Sequence, residues 1–387
     1  GGIRGERVTI EMNESGVRLS GEAAFDRLPF GPPLALLLPA RLGGFFEQGA
    51  TSGSLTARLK HFDLGIGWPP VAGRPALESL SFDGTVRLEE CEIRRPVSLQ
   101  GIDAKLDISG SGSLSGTPSV RFSGRLRDLG ARLGAFQLSG LEADLAVDEQ
   151  SVELSRISGQ FLSGRLAEDR NQVRIGFGDK VQVSGQMGFE QADLGALLTR
   201  LGQSQRNVGG KVSLAFDFAG DASSLASLTG SGQVVIVDGQ LWELPILATL
   251  YTASLGLVFG SEGKPAFDRG IITFGLSHGK LIVDRFELNA PVASSPVGLM
   301  LTGRGVLGPT GVDLRVVPRI IAVDVPILSP AIELLKSGLL NYRIYGPLAN
   351  PRIAYWNAAA DVMSPNQDVT RLPRLAPRFP ADWNRRF

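Results

Sequence analysis

KVSLAFDF, Lys211–Phe218, is the stretch from which the fold can be read. Val212, Leu214, Phe216 and Phe218 fall on one side of an extended segment, and Lys211, Ser213, Ala215 and Asp217 fall on the other. Successive side chains of a strand point to opposite faces, so a period of two marks a strand with one apolar face. A helix would need its apolar residues three and four apart.

The same period recurs on both sides of this stretch. Upstream, Val8, Ile10 and Met12 and then Val17 and Leu19 suggest one hairpin turning near Asn13–Gly16. From Ser52 to Val183 the pairs Leu55 and Leu59, Val86 and Leu88, Leu106 and Ile108, Val120 and Phe122, Leu145 and Val147, Val152 and Leu154, Val173 and Ile175, and Val181 and Val183 continue it. Downstream, strands are expected at Gln233–Val237, Ile271–Phe274, Lys280–Leu288, Gly298–Thr302, Val312–Val317 and Tyr342–Tyr345. The 49 glycines and 23 prolines, with only 7% aromatic residues, suit a turn-rich β protein.

Four segments break the period toward helix: Pro29–Phe46, Ala192–Leu201 with Asp193 near its start, a run from Leu244 to Phe259, and Pro330–Ser337. Pro69–Pro70 and Pro75 are expected to mark a loop, and Asp238-Gly239 a turn. The polar Gln203–Gly210 is the best internal boundary. It divides a β-hairpin region, 1–205, from a second region, 206–356. A Pro- and Arg-rich tail, 357–387, lacks periodicity and is expected to be disordered. Internal similarity supports a repeated hairpin unit. Ser79–Ile93 overlays Ser227–Leu241 without gaps, and Leu99–Ile108 overlays Leu138–Val147.

Chemistry is sparse. The 39 basic and 39 acidic residues cancel, which argues against an electrostatic nucleic-acid binder. A single cysteine, Cys91, allows no internal disulfide and no thiolate cluster. His61 and His278 are isolated, so no metal site and no cofactor are expected. Glu89, Glu90 and Glu92 around Cys91 read as a solvated strand edge. Gly275–Gly279, GLSHG, matches the nucleophile-elbow spacing, but a strand follows where a helix is needed, and no later histidine exists. A hairpin turn is the expected reading, and a hydrolase built on Ser277 is the weakest hypothesis. Gly303–Gly308, GRGVLG, matches the dinucleotide spacing but is followed by Pro309 and a strand, so a glycine-rich turn is expected. No catalytic constellation emerges.

The run after Pro245 carries no charge between Glu243 and Glu262, yet Thr249, Tyr251, Thr252, Ser254 and Gly256 dilute it. It is at the lower limit for a membrane span. A helix buried by protein, or lying on a membrane surface, fits it better.

The order of these features resembles the C-terminal region of AsmA-like envelope proteins. It begins with Gly232, an aliphatic run, Asp238-Gly239 and Leu241, then the apolar helix opening at Leu244-Pro245. Phe267-Asp268, the strand pair KLIVDRFEL and VGLMLTGRGVL, then VDLRVVPRI, a short helix and YRIYGPLANPRI complete it. The resemblance covers about Gly209 to Tyr355, and the β units before it are similar in style to that family's upstream repeats.

The resemblance implies a protein similar to repeating-β-groove lipid transfer proteins. An elongated, strongly twisted antiparallel sheet would curl into an open groove. It would bind or conduct phospholipid in the periplasm between bacterial envelope membranes and support outer-membrane lipid balance. An inner-membrane anchor would lie upstream of Gly1. Val212, Leu214, Phe216, Phe218, Val283, Leu299 and Leu301 are then the candidate groove residues. Leu244, Leu247, Leu250, Tyr251, Leu255 and Phe259 would belong to a capping helix at the groove's end. Two readings of the groove residues stay open: an open groove, or a closed core under the helices. The alternative function is a scaffold for outer-membrane proteins that offers sheet edges to incoming strands, with other envelope proteins as partners.

Overall fold

The computed structural model describes residues 2–14, 16–31, 51–71, 74–94, 98–113, 119–178, 180–200, 208–222, 224–241, 244–250, 267–290, 297–308, 311–322, 341–347 and 350–355. Over these residues the protein is mainly β, and its 19 strands belong to one antiparallel sheet. The expected helices at Pro29–Phe46 and Pro330–Ser337, and the tail, lie outside the described residues, apart from the first residues of the former.

The first strands are β1 (Gly2–Asn13), β2 (Gly16–Pro29), β3 (Ser52–Val71), β4 (Arg74–Ile93), β5 (Leu99–Ser113) and β6 (Ser119–Leu133). Next come β7 (Phe136–Val147), β8 (Ser151–Phe161), β9 (Gly164–Leu166), β10 (Gln172–Phe177) and β11 (Val181–Asp193). Helix α1 (Leu194–Arg200) leads to β12 (Gly209–Asp221) and β13 (Thr229–Gln240), and α2 (Pro245–Leu250) precedes β14 (Phe267–Ser277). The series ends with β15 (Lys280–Ala290), β16 (Val297–Gly308), β17 (Gly311–Ala322), β18 (Tyr342–Gly346) and β19 (Arg352–Tyr355). From β1 to β8 each strand pairs with the next in sequence, and β13 to β19 do the same. Between these runs β8 pairs with β10, and β9 pairs with β11.

Two compact units are distinguished. The first takes Gly1–Phe161, Arg165–Met187 and Ala219–Ser224, and the second takes Leu162–Gly164, Gly188–Phe218 and Leu225–Phe387.

Strands are longer than the alternation suggested, because bulges reset it. Glu90, Asp128 and Arg156 all have φ near +50°, and each lies where a register shifts. Each such extra residue swaps the faces of everything beyond it. Asp238-Gly239 also has a left-handed backbone, at Asp238, without such a shift against β14. Val237 faces Arg269 and Gly239 faces Phe267, so Asp238, at φ 53°, lies inside β13 with the register to β14 kept, and the expected turn is not there. The expected loop at Pro69–Pro70 and Pro75 is also corrected. These prolines sit at the ends of β3 and β4, where the register jumps from Gly67–Ala76 to Val71–Arg74. A proline is tolerated in a strand where no ladder bond needs its missing N–H. The GRGVLG segment lies within β16, and only its last glycine borders the turn, facing Gly311.

The hairpin at Asn13–Gly16 is as expected, with the Gly16 N–H donating to Asn13 Oδ1 at 2.9 Å. Helix α1 is capped by Asp193, whose Oδ1 accepts the Ala196 N–H at 2.8 Å. The β7–β8 hairpin is closed by Asp148, whose Oδ1 accepts the N–H groups of Gln150 (2.8 Å) and Ser151 (2.7 Å) and the Ser151 hydroxyl. Burial raises the Asp148 pKa, but these hydrogen bonds together outweigh it and hold the carboxyl below its ordinary value. A lowered folded-state pKa stabilises the fold above the unfolded value, about 3.9. That contribution is lost as pH falls through the lowered one. Asp148→Ala is therefore expected to cost about 1 kcal/mol near neutrality. Urea melts should show the gap to wild type closing in strong acid.

Candidate ligand-binding face

In the first unit the ladder sorts residues into an apolar and a polar face. One row starts at Val8 and runs through Gly21, Phe62, Phe82, Gly110, Phe122, Val147, Val152, Ile175 and Val183. It crosses ten strands, β1 to β8, β10 and β11, and meets only apolar residues and glycine. A parallel row runs through Ala23, Leu59, Gly84, Ile108, Gly124, Leu145, Leu154 and Val173. At about 4.8 Å per strand, the longer row covers about 40 Å. Many of its members, including Phe62, Phe82, Phe122, Val152 and Ile175, are half-buried. Nearer one end of β4 the face is closed, by a cluster of Cys91, Ile102 and Ala131 packed with Leu88, Leu99 and Leu129. Burial pushes the Cys91 thiol up, so it behaves as a small apolar side chain.

The opposite face carries ion pairs: Arg18 with Asp63, Lys105 with Asp128, Arg127 with Asp107, and Arg125 with Glu142. Exposed pairs of this kind add little to stability and mainly favour the register. Arg18 also holds the Asp63 carboxyl low. On this face a depression of about 660 Å³ lies over the row His61, Asp83, Ser109, Ser123, Ala146 and Glu153.

In the second unit the same sorting holds, with more burial. Rows run from Val234 through Ile272, Phe286, Gly303, Val316 and Tyr342, and from Ile236 through Gly270, Leu288, Leu301 and Pro318. Glycines on this face are covered by neighbouring side chains, rings among them. A Cβ built on Gly303 would lie 2.4 Å from Phe286 Cε1, and one on Gly232 would lie 2.4 Å from Phe274 Cζ. Phe274 stacks on Phe216, and Phe216 on Phe218.

The candidate residues divide accordingly. Val212, Val283, Leu299 and Leu301 are buried, whereas Leu214, Phe216 and Phe218 are half-buried. The expected polar face of β12 is partly buried too. Ser213 and Ala215 are covered, because their small side chains sit among larger neighbours. Ala215 packs on Val235 and Val237, and Ser213 Oγ accepts the Gln191 N–H. Of the expected capping helix, α2 holds Leu247 and Leu250, both buried, and Leu244 precedes it. Tyr251, Leu255 and Phe259 lie outside the described residues.

GLSHG forms the β14–β15 hairpin, with Ser277 facing Lys280. Ser277 Oγ lies 2.8 Å from His278 Nδ1, but both belong to an exposed turn followed by a strand. No group of three potential metal ligands occurs among the described residues, and no described helix is long and apolar enough to cross a membrane.

The rows that cross strand after strand were not legible from single strands. The paired positions are distant in sequence, and only the register brings them together. No family model, curated protein or solved structure matches this chain.

Proposed function

We propose that this chain binds phospholipid acyl chains along the apolar face of its sheet and passes them along that face without covalent chemistry. The observation that carries the reading is the ten-strand row of apolar residues and glycine from Val8 to Val183. A monomer seldom leaves an apolar strip of that length facing water without a ligand or partner. Its length, about 40 Å, exceeds the hydrocarbon thickness of a bilayer, about 30 Å. Each acyl methylene buried returns about 0.8 kcal/mol. The half-buried side chains of the first unit, with Leu214, Phe216 and Phe218, are the better contact candidates. The fully buried Leu299 and Leu301 serve the fold. The setting follows the resemblance to AsmA-like proteins: the periplasm of a bacterial envelope, with an inner-membrane anchor upstream.

The test is uptake of a fluorescent phospholipid by the purified chain. Leu80 lies on the apolar face opposite Leu64, and Ser81 lies one residue on, on the other face. A carboxylate among acyl chains costs well over about 1.4 kcal/mol, so Leu80→Asp should reduce uptake by more than about tenfold. Ser81→Asp should leave it unchanged. Equal losses in both variants would sink the reading. So would a wild-type chain that takes up no lipid but saturably binds unfolded β-barrel segments.

A further inference from the structure

We propose that two copies of this chain pair through β1, antiparallel, about a two-fold axis at Thr9. Among the described residues, strand β1 is registered to β2 along one side and to no other strand. Its apolar residues are the most exposed large hydrophobics among the described residues of the first unit: Val8 50%, Ile10 62% and Met12 78%. Between Arg7 and Asn13 it carries no proline, no lysine and no charge on its apolar side, the devices that usually blunt an edge strand. An unpaired strand of this kind is a template for another strand.

The occupant is argued from charge. With the axis at Thr9, Arg7 of one copy faces Glu11 of the other, and Val8 faces Ile10. Each contact occurs twice. Within each copy Arg7 already faces Glu22, and Glu11 faces Arg18. The pairing therefore builds two four-strand charge rows that alternate in sign: Glu22, Arg7, Glu11 of the second copy, Arg18 of the second copy. Opposite charges in cross-strand positions favour the pair, and like charges oppose it. An axis at Val8 would set Arg7 against Thr9, and one at Ile10 would set it against Asn13. An axis between residues would place Val8 against Thr9 and turn the apolar side of one copy to the polar side of the other. Of these registers, the one at Thr9 alone satisfies both charge and face over Arg7–Glu11. It also joins the apolar rows of the two copies, Val8 and Ile10 being the first members of rows that cross each sheet.

The experiment is sedimentation equilibrium of the full chain with charge-reversed variants. Wild type should dimerise at micromolar concentration. Arg7→Glu sets Glu against Glu11 twice, Glu11→Arg sets Arg against Arg7 twice, and each should weaken the dimer at least about tenfold. The double variant restores opposite charges across the axis and should regain most of the loss. A merely structural role for either residue predicts no regain. Thr9 is exposed, so Thr9→Cys is a mild change, and native Cys91 is buried. Oxidised Thr9→Cys should form a covalent dimer, while Ser20→Cys on β2 should not. A monomeric wild type would overturn the proposal. So would a dimer indifferent to both reversals, or one that Thr9→Cys does not cross-link.

Discussion

Leu301→Asp is expected to unfold the second unit. Leu301 is 0% exposed and Leu299 is 1% exposed, with Leu301 facing Leu288 on one side and Pro318 on the other. Truncation to alanine at such a site costs about 2–5 kcal/mol from lost transfer energy and an unfilled cavity. A carboxylate adds desolvation, and would take up a proton rather than stay charged there. Domains hold only about 5–15 kcal/mol in all. Leu301→Ala should keep a cooperative urea transition at a lower midpoint. Leu301→Asp should lose near-ultraviolet dichroism and become sensitive to protease at Leu299 and beyond. Leu214→Asp, at a half-buried place on β12, should remain folded. A stable, cooperatively folded Leu301→Asp would mean that this part of the face is open to water.

The second large effect concerns Phe286 and Gly303, paired across β15 and β16. The Phe286 ring occupies the space that a side chain at position 303 would need, and Arg315 O lies 2.3 Å from a Cβ placed there. Gly303→Val should therefore cost about 1–3 kcal/mol or more from overpacking. Phe286→Ala should cost about 3–5 kcal/mol, because it removes a buried ring. In the double variant the valine enters part of the vacated space. The two losses should add to less than their sum by at least about 0.5 kcal/mol, although the clash with the Arg315 carbonyl remains. Strict additivity in a double-mutant cycle would show that the ring does not fill the space over Gly303.

The existence and spacing of the strands were readable because each hairpin keeps its own alternation. Asn13–Gly16 and the Asp193 cap also followed from local chemistry. Strand length was not readable. β3 and β4 each run for 20 residues through prolines and register shifts. A bulge such as Glu90 or Asp128 flips the parity, so one long strand looks like two short ones. Burial was hidden for a different reason. Leu214 and Leu301 occupy equivalent places in their patterns, yet only one is sealed. What covers a face is decided by segments remote in sequence, and periodicity reports the face alone. Ser213 and Ala215 make the same point from the polar side. Their small size, and not their polarity, put them under their neighbours.

The pairing of almost every strand with its sequence neighbour has a consequence in time. Ribosomes extend a chain at about 5–20 residues per second, whereas a hairpin closes in about 1–10 μs. Each new strand thus meets a finished template long before the next one emerges. A lone hairpin is marginal, so order should set in with the third strand and advance from there by single additions, each stabilised mainly by the one before. β10 is the exception, docking on β8 after the short β9 has been passed over. At every moment of synthesis the growing edge is the newest strand, soon covered by its successor. Among the described residues, β1 is the edge that no later strand of the same chain covers.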